Sequence, residues 1–395
     1  MTKPISKRKR VVDPELCVQC GVCFSVCPQN CIDIEYTIGE ECIECGLCTD
    51  VCPGPGVHLK QKGDELFPNS HYNKYVGRYK EVYTGYSVYG TVRSRGTSGG
   101  VVTSLLQCLL EHNIIDGAAV VSFDGPWKTR YTLATSVEDI IASAQTKYQL
   151  TPFHVKLHQT ELERIAVVGV PCVVHGLRNI QKTNVGKKIA VLIGLFCWVN
   201  MESEATKFLL DKLDVTSVDT IEYRAGDYLG GFKAVQKNGT TKYIGKECYN
   251  VLPLLFAPNR CLYCADFTNE LADISMGDAK FMHSEKGHTF VIVRSETGED
   301  ILKHCSHALN LEESHIQDII DSEKSSLLFK KGAYNRINTL PDYGEKHYTI
   351  PLKNRVYELI FMVVHNHREF FKRIFKKIPL PIFVYVSKLI TKRRS

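Results

Sequence analysis

Cys17-Val18-Gln19-Cys20-Gly21-Val22-Cys23-Phe24-Ser25-Val26-Cys27-Pro28 is matched, 25 residues later, by Cys42-Ile43-Glu44-Cys45-Gly46-Leu47-Cys48-Thr49-Asp50-Val51-Cys52-Pro53. Each copy has the spacing C-x2-C-x2-C-x3-C-P. A loop this tight wraps three thiolates around one iron–sulfur cube, and the fourth cysteine serves the other cube. The repeat therefore assigns one 4Fe–4S cluster to Cys17, Cys20, Cys23 and Cys52, and a second to Cys42, Cys45, Cys48 and Cys27. A pair of structural zinc sites would instead call for C-x2-C knuckles across a longer spacer, often with histidine. The match continues to Ile32 and Ile34, which map onto Val57 and Leu59, so each half reads as ligand loop, short helical turn and strand.

Residues 11–60 resemble a bacterial-type two-cluster ferredoxin along their whole length. They carry eight acidic side chains against one lysine, a surface suited to basic redox partners. Such a module moves single electrons and does no bond chemistry, so the other residues must supply the electron source or sink. The whole chain has 395 residues, enough for two or three domains. Hydrophobic residues make up 44% and charged residues 23%, ordinary for a globular protein. The longest apolar run, Ile189 to Val199, is too short to span a bilayer. The basic start, Lys7-Arg8-Lys9-Arg10, lacks the apolar stretch of a secretory signal, so a cytoplasmic location is expected. Disulfides are not expected there, and sixteen cysteines call for metal instead.

The expected organisation is a basic tail at 1–10, the α+β ferredoxin-like domain at 11–62, a linker at 63–79, a larger α/β domain at 80–345 and a basic amphipathic segment at 346–395. In the larger domain Val82 to Val88 alternates like a strand, while Val101, Val102, Leu105, Leu106, Leu109 and Leu110 follow helical spacing. Two apolar runs, Arg164 to Val170 and Lys188 to Phe196, each lead to a cysteine, Cys172 and Cys197. A C-x2-C pair, Cys261 and Cys264, precedes a third strand-like run, Ala272 to Met276. Four cysteines from strand ends and one loop could close a third 4Fe–4S cluster; buried core thiols at Cys172 and Cys197 are the alternative. Cys31, Cys108, Cys248 and Cys305 read as structural, with Cys248 the substitute should Cys197 not belong to the set.

Further motifs carry a family resemblance. Arg95-Gly96-Thr97-Ser98-Gly99-Gly100-Val101-Val102, Ile115-Asp116-Gly117, Gly169-Val170-Pro171-Cys172, Cys261 with Cys264-Ala265-Asp266-Phe267, and Ala272-Asp273-Ile274-Ser275-Met276-Gly277-Asp278 look like the coenzyme F420 hydrogenase/dehydrogenase beta-subunit family. The resemblance covers roughly residues 80–340. It implies an iron–sulfur flavoprotein with FAD, with coenzyme F420 as a substrate, and it strengthens the third cluster. One departure is Gln145-Thr146-Lys147-Tyr148, where family members tend to have Gly-Ser-Lys-Tyr.

A flavin also follows from chemistry. Deazaflavins give up electrons as a hydride, two at a time, and a cluster accepts one, so a cofactor able to divide the pair is needed. Thr97, Ser98, Gly99 and Gly100 precede the Val101 helix and could bring its N-terminus to a phosphate; equally, Ser98 could be a plain cap with glycines in a turn. Lys147 and Tyr148 are candidate flavin contacts or an ordinary end to a surface helix. Asp278 could face the flavin or a cluster, or cap the next turn. No G-x-G-x-x-G follows a strand, which argues against a standard dinucleotide fold and against NAD(P)H.

Residues 366–395 hold nine Lys/Arg and one acidic side chain. Apolar positions from Val356 through Ile378 share a helical face opposite Arg368, Lys372, Arg373, Lys376 and Lys377. This suits a helix lying at an anionic membrane surface, on the inner face of the membrane, or docking a partner. It suits equally a helix packed on the core with a solvated basic face. No recognition motif supports nucleic acid. The leading expectation is an oxidoreductase between F420 and a redox protein, acting as donor or acceptor. The alternatives are a ferredoxin-dependent reductase of another organic substrate and a non-catalytic electron-transfer subunit.

Overall fold

The computed structural model describes residues 10–228, 230–280, 287–336 and 351–392. The tail at 1–9, the segment 346–350 and Arg393-Arg394 lie outside the described residues.

The N-terminal module is built by the repeat. Short helices Val22–Val26 and Leu47–Asp50 each start after a glycine in the left-handed region, Gly21 at φ 78° and Gly46 at φ 80°. Gln19 and Glu44, also 25 apart, share a second left-handed position at φ 53° and 56°. Beyond the cysteines the two halves diverge. Ile32 pairs with Ile38 in a bridge, whereas Leu59, expected in a strand, opens the helix Leu59–Leu66. The stretch expected as linker is ordered structure: after that helix, strands β1 (His71–Asn73) and β2 (Gly77–Tyr79) form a hairpin with Val76 fully buried at its turn.

The larger domain is α/β around one mixed sheet. Its strands are β3 (Glu81–Ser87), β4 (Gly117–Asp124), β5 (Lys128–Ala134), β6 (Ile165–Gly169) and β7 (Ile189–Leu195). A separate antiparallel sheet of β8 (Val218–Ala225), β9 (Gly231–Gln236) and β10 (Thr241–Ile244) interrupts the series. The main sheet then resumes with β11 (Ile274–Asp278), β12 (Thr289–Val293) and β13 (Leu309–Glu313). The order across it is β13-β3-β12-β11-β7-β6-β4-β5. Only the central run β4-β6-β7-β11 is parallel. Parallel strands need helices on both faces, which is why Val191, Leu192 and Ile193 read as one apolar run.

The ferredoxin module sits on this domain through shared core. Val22 and Val26 cluster with Phe153, Leu177 and Leu192. The Phe153 N–H donates to the Cys20 carbonyl at 2.7 Å, and Ser25 Oγ donates to the Phe153 carbonyl. The C-terminal segment forms three helices, Leu352–Asn366, Arg368–Lys377 and Leu380–Lys392. Phe361 and Phe383 are fully buried against Phe208, Phe256 and Phe329, and Phe371 and Phe375 pack at the edge of the same cluster. The segment is thus helical and packed on the core, and it breaks at His367 rather than running on to Pro379. There Arg368 reaches across to the Ala257 carbonyl and to Asn259 Oδ1.

Candidate functional site

The loops of the N-terminal repeat aim backbone donors at sulfur. The N–H groups of Gln19, Glu44 and Gly54 donate to Sγ of Cys17, Cys42 and Cys52, each at 3.4 Å. Cys27, Cys42, Cys45 and Cys48 line one cavity with Ile32 and Ile38, and Cys31 joins its wall 3.5 Å from Cys27 Sγ. Around the other set, burial raises the Cys23 thiol and the charges of Cys52 and Cys17 raise it further. Cys52 is pushed up to about 11, again first by burial. The fourth cysteine of each copy thus stands with the first three of the other. Thiols pressed this high need a cation to ionise; four thiolates suit either zinc or an iron–sulfur cluster, and the C-x2-C-x2-C-x3-C-P spacing is that of the cluster.

The large domain gathers a further four. Cys172 follows Pro171 at the start of the helix Pro171–Ile180, immediately beyond β6. Cys197 lies just past β7, and its N–H donates to the Phe267 carbonyl at 2.9 Å. Cys261 and Cys264 belong to the turn Asn259–Tyr263 and its cap. The Cys172 thiol is raised well above its ordinary value by burial and then by the charges of Cys261, Cys197 and Cys264. Cys197 reaches about 12, from burial, with Cys261 and Cys264 adding to it and Lys330 opposing. Lys330, only 2% exposed, is the positive charge in this nest. Burial lowers it, but Cys264, Cys197, Cys261 and Asp266 hold it above the ordinary lysine value. Cys248 is elsewhere, buried in the core that receives the C-terminal helices.

A buried histidine–carboxylate contact and a buried ion pair hold this loop. His175 Nε2 lies 2.8 Å from Asp266 and Arg178 lies 2.8 Å from Asp273, all four side chains nearly inaccessible. Removing Arg178 alone would be strongly destabilising, because the Asp273 charge would be left buried. Arg260 Nε donates to the Gly54 carbonyl at 2.8 Å, tying the Cys261 turn to the Cys52 loop. Cys172 is also the first charge to act on Cys20 after burial itself. The four-cysteine set of the large domain therefore borders the first cysteine set of the ferredoxin module.

The loops expected at the flavin come together. Thr97 Oγ1 and Thr146 Oγ1 lie 2.8 Å apart, joining residues 97–100 to 145–148. Ser98 Oγ donates to the His288 carbonyl at 2.6 Å, and the Gly99 N–H donates to Thr289 Oγ1 at 2.8 Å. Gly100, at φ 77°, is the left-handed entry to the Val101–Glu111 helix. Lys147 Nζ donates to the carbonyls of Ser143, Ala144 and Gln145, and burial lowers its pKa to about 8. Tyr148 is raised to about 12 by burial and packs against Tyr223 and Tyr249. Asp278 accepts from Arg224 at 2.7 and 2.9 Å.

Sequence reasoning missed Arg224, Lys246, Tyr228, Tyr249 and Lys330. Arg224 lies on β8, 54 residues before its carboxylate partner, with no motif to mark it. Lys246 is lowered to about 8, first by burial and then by Arg224. Tyr249 Oη and His288 Nδ1 are buried with no hydrogen-bond partner among the described residues. The orphaned Tyr249 hydroxyl, near the almost inaccessible Arg224 side chain, together with the half-buried Lys246, suits an anionic, ring-bearing group such as a flavin nucleotide.

Residues 82–157 match the coenzyme F420 hydrogenase/dehydrogenase beta subunit N-terminal family, and residues 162–319 match its C-terminal family. The chain belongs to the coenzyme F420 hydrogenase/dehydrogenase beta-subunit family. Residues 10–33 and 39–67 match 4Fe–4S binding domains, so this member carries two such motifs before the family domain. It is 30% identical over 78% of its length to a coenzyme F420-dependent sulfite reductase of Methanocaldococcus jannaschii, and spans about half (49%) of that relative. It is 28% identical over 74% of its length to one of the subunits of the F(420)H(2) dehydrogenase of Methanosarcina mazei, covering 83% of that relative. A chain of the F420-reducing NiFe hydrogenase complex from Methanosarcina barkeri shares the fold, with TM-score 0.55 and 22% identity, over 67% of this chain and 94% of that one.

Proposed function

We propose that this protein passes electrons between reduced coenzyme F420 and a one-electron redox protein, using FAD, a third 4Fe–4S cluster and the ferredoxin pair. The observation that carries the reading is the nest of Cys172, Cys197, Cys261 and Cys264 bordering Cys20 of the ferredoxin module. When bound, FAD would take a hydride and release electrons singly. The chain's part is placement. Arg224 and Lys246 favour an anionic phosphate or ring edge, Tyr148 and Tyr249 offer flat walls, and Lys330 offsets the negative charge of a thiolate-bound cluster. Relatives named for F420-dependent reactions support F420 as the partner. The expected domain limits, with 80–345 as the flavin and cluster unit, belong to the same proposal.

The test is anaerobic. Purified protein should contain FAD and about twelve irons per chain, three clusters of four. It should oxidise reduced F420 when a viologen accepts the electrons. FAD and twelve irons without F420 oxidation would favour a ferredoxin-dependent reductase of another substrate; clusters without flavin would favour an electron-transfer subunit.

The C-terminal helices support a second, separate reading, peripheral contact with an anionic membrane surface. Leu359, Phe370 and Tyr385 are all more than 60% exposed beside the Lys/Arg set, although no described helix is long and apolar enough to cross a membrane. Each Lys or Arg near such a surface adds about 1 kcal/mol. The full chain should then sediment with anionic vesicles at low salt and release at high salt; no salt-sensitive sedimentation ends this reading.

A further inference from the structure

Away from the twelve cysteines above, a second kind of cluster closes the opposite edge of the large domain. Cys108 lies in the last turns of the Val101–Glu111 helix and His112 caps that helix. Cys305 caps the Glu296–His304 helix, and His307 sits in the short turn Ser306–Ala308 that follows. Ligand atoms of Cys108, His112 and His307 all lie within 4.8 Å of one another. Cys305 is closer still, joined to Cys108 in a disulfide with Cα atoms 5.9 Å apart. The rings of His304 and His307 stand edge-on to His112 at 4.9 and 5.4 Å between centroids.

No disulfide is expected from the sequence, in which Cys108 and Cys305 read as structural; the bond between them corrects that expectation. Both sulfurs are indeed fully buried, but three histidines converging on them are not what an inert core pair requires. His112, His304 and His307 are exposed, so the group has a closed sulfur side and an open imidazole side through which an ion can enter. His112 Nδ1 lies 2.9 Å from the Cys108 carbonyl oxygen. The same Nδ1 stands 3.5 Å from Cys108 Sγ, so binding zinc through it would exchange the carbonyl bond for the metal. Both helices bring their C-terminal, electronegative ends to the cluster, which favours a cation.

We propose that Cys108, His112, Cys305 and His307 form a Cys2His2 zinc site in the reduced protein, the disulfide and the metal being alternative occupants of one thiol pair. Two thiolates and two imidazoles in tetrahedral array are the donor set that structural zinc takes. The chemistry balances in two steps. A phosphine reductant and one water convert the disulfide to two thiols and a phosphine oxide. Zinc then binds the two sulfurs as thiolates, and two protons leave to solvent. The ion would staple the Val101–Glu111 helix, whose N-terminus follows the 97–100 loop, to the end of the Glu296–His304 helix. The proposal does not depend on F420 chemistry.

The full chain is reduced anaerobically with a phosphine, given one equivalent of zinc chloride and desalted. Zinc and iron are counted together, and the zinc shell is read by K-edge X-ray absorption, which iron–sulfur chromophores do not obscure. One zinc per chain is expected, with two sulfurs at about 2.3 Å and two nitrogens at about 2.0 Å. His112→Ala and His307→Ala, at exposed positions, should keep their iron and weaken zinc retention by about tenfold or more. Cys108→Ser should lose zinc as well. Retention unchanged in the histidine variants, a shell of four sulfurs, or no zinc in a wild type with both thiols free overturns the site.

Discussion

At Gly99 an added Cβ would stand 2.5 Å from the Gly85 carbonyl oxygen and 2.9 Å from Thr289 Oγ1. The glycine is needed first for the loop to lie against β3. Gly99→Ala should therefore lower the melting temperature of flavin-free protein, and a melting curve identical to wild type would contradict that contact. Tyr249→Phe asks the complementary question. Its hydroxyl has no partner among the described residues, so removing it should leave flavin-free stability unchanged or slightly raised. If the hydroxyl meets the flavin, FAD retained per chain should fall; undiminished retention removes Tyr249 from the flavin contacts. The same contrast shows what was legible at this scale. Metal ligands declare themselves by spacing within one loop, as in Cys17 to Cys27. The Arg224–Asp278 pair is written across two sheets and leaves no local signature.

Elements with strong periodicity were legible, as β6 and β7 and the helix around Leu105 illustrate: burial on a strand or helix imposes its period on the sequence. The hairpin β1–β2 was not, because three-residue strands carry too little pattern, and the break at His367 depends on contacts made far away in sequence. His365 anchors the first C-terminal helix, with Nε2 donating to Asn259 Oδ1 at 2.8 Å. Its pKa is lowered to about 4, first by burial, then by Arg368 and with help from Lys372, while Glu15 opposes. An imidazole depressed in the folded protein refuses a proton that the unfolded chain accepts below about pH 6.5. The helix contact should therefore be insensitive to pH above that value and weaken as pH falls from about 6.5 toward 4. Protection from hydrogen exchange across 352–377, taken relative to the intrinsic rate at each pH, should fall at about pH 5 in wild type and lose that pH step in His365→Gln. Equal protection at about pH 7 and pH 5 in wild type would contradict the anchor.

On the scale of the whole molecule, two electron-handling parts are held in one body. Gly21, at φ 78°, has the Phe153 amide nitrogen 2.6 Å from where a Cβ would stand, so ferredoxin loop and large domain touch at backbone distance beside Cys20. The repeat made the ferredoxin module legible. Its docking was not, because Phe153, Gly176 and Arg260 meet it through shape and single hydrogen bonds. If Cys172, Cys197, Cys261 and Cys264 hold the proposed cluster, electrons must pass through it between the F420 side and the ferredoxin pair. Cys261→Ser tests it most directly, since it should retain about eight irons in the ferredoxin pair. Wild type and variant are mixed anaerobically with reduced F420, and reduction of the ferredoxin clusters is followed by electron paramagnetic resonance. Prompt reduction is expected in wild type and at least a hundredfold slower reduction in the variant, about 2.7 kcal/mol in barrier. Ferredoxin clusters reduced at the same rate in both proteins would contradict it.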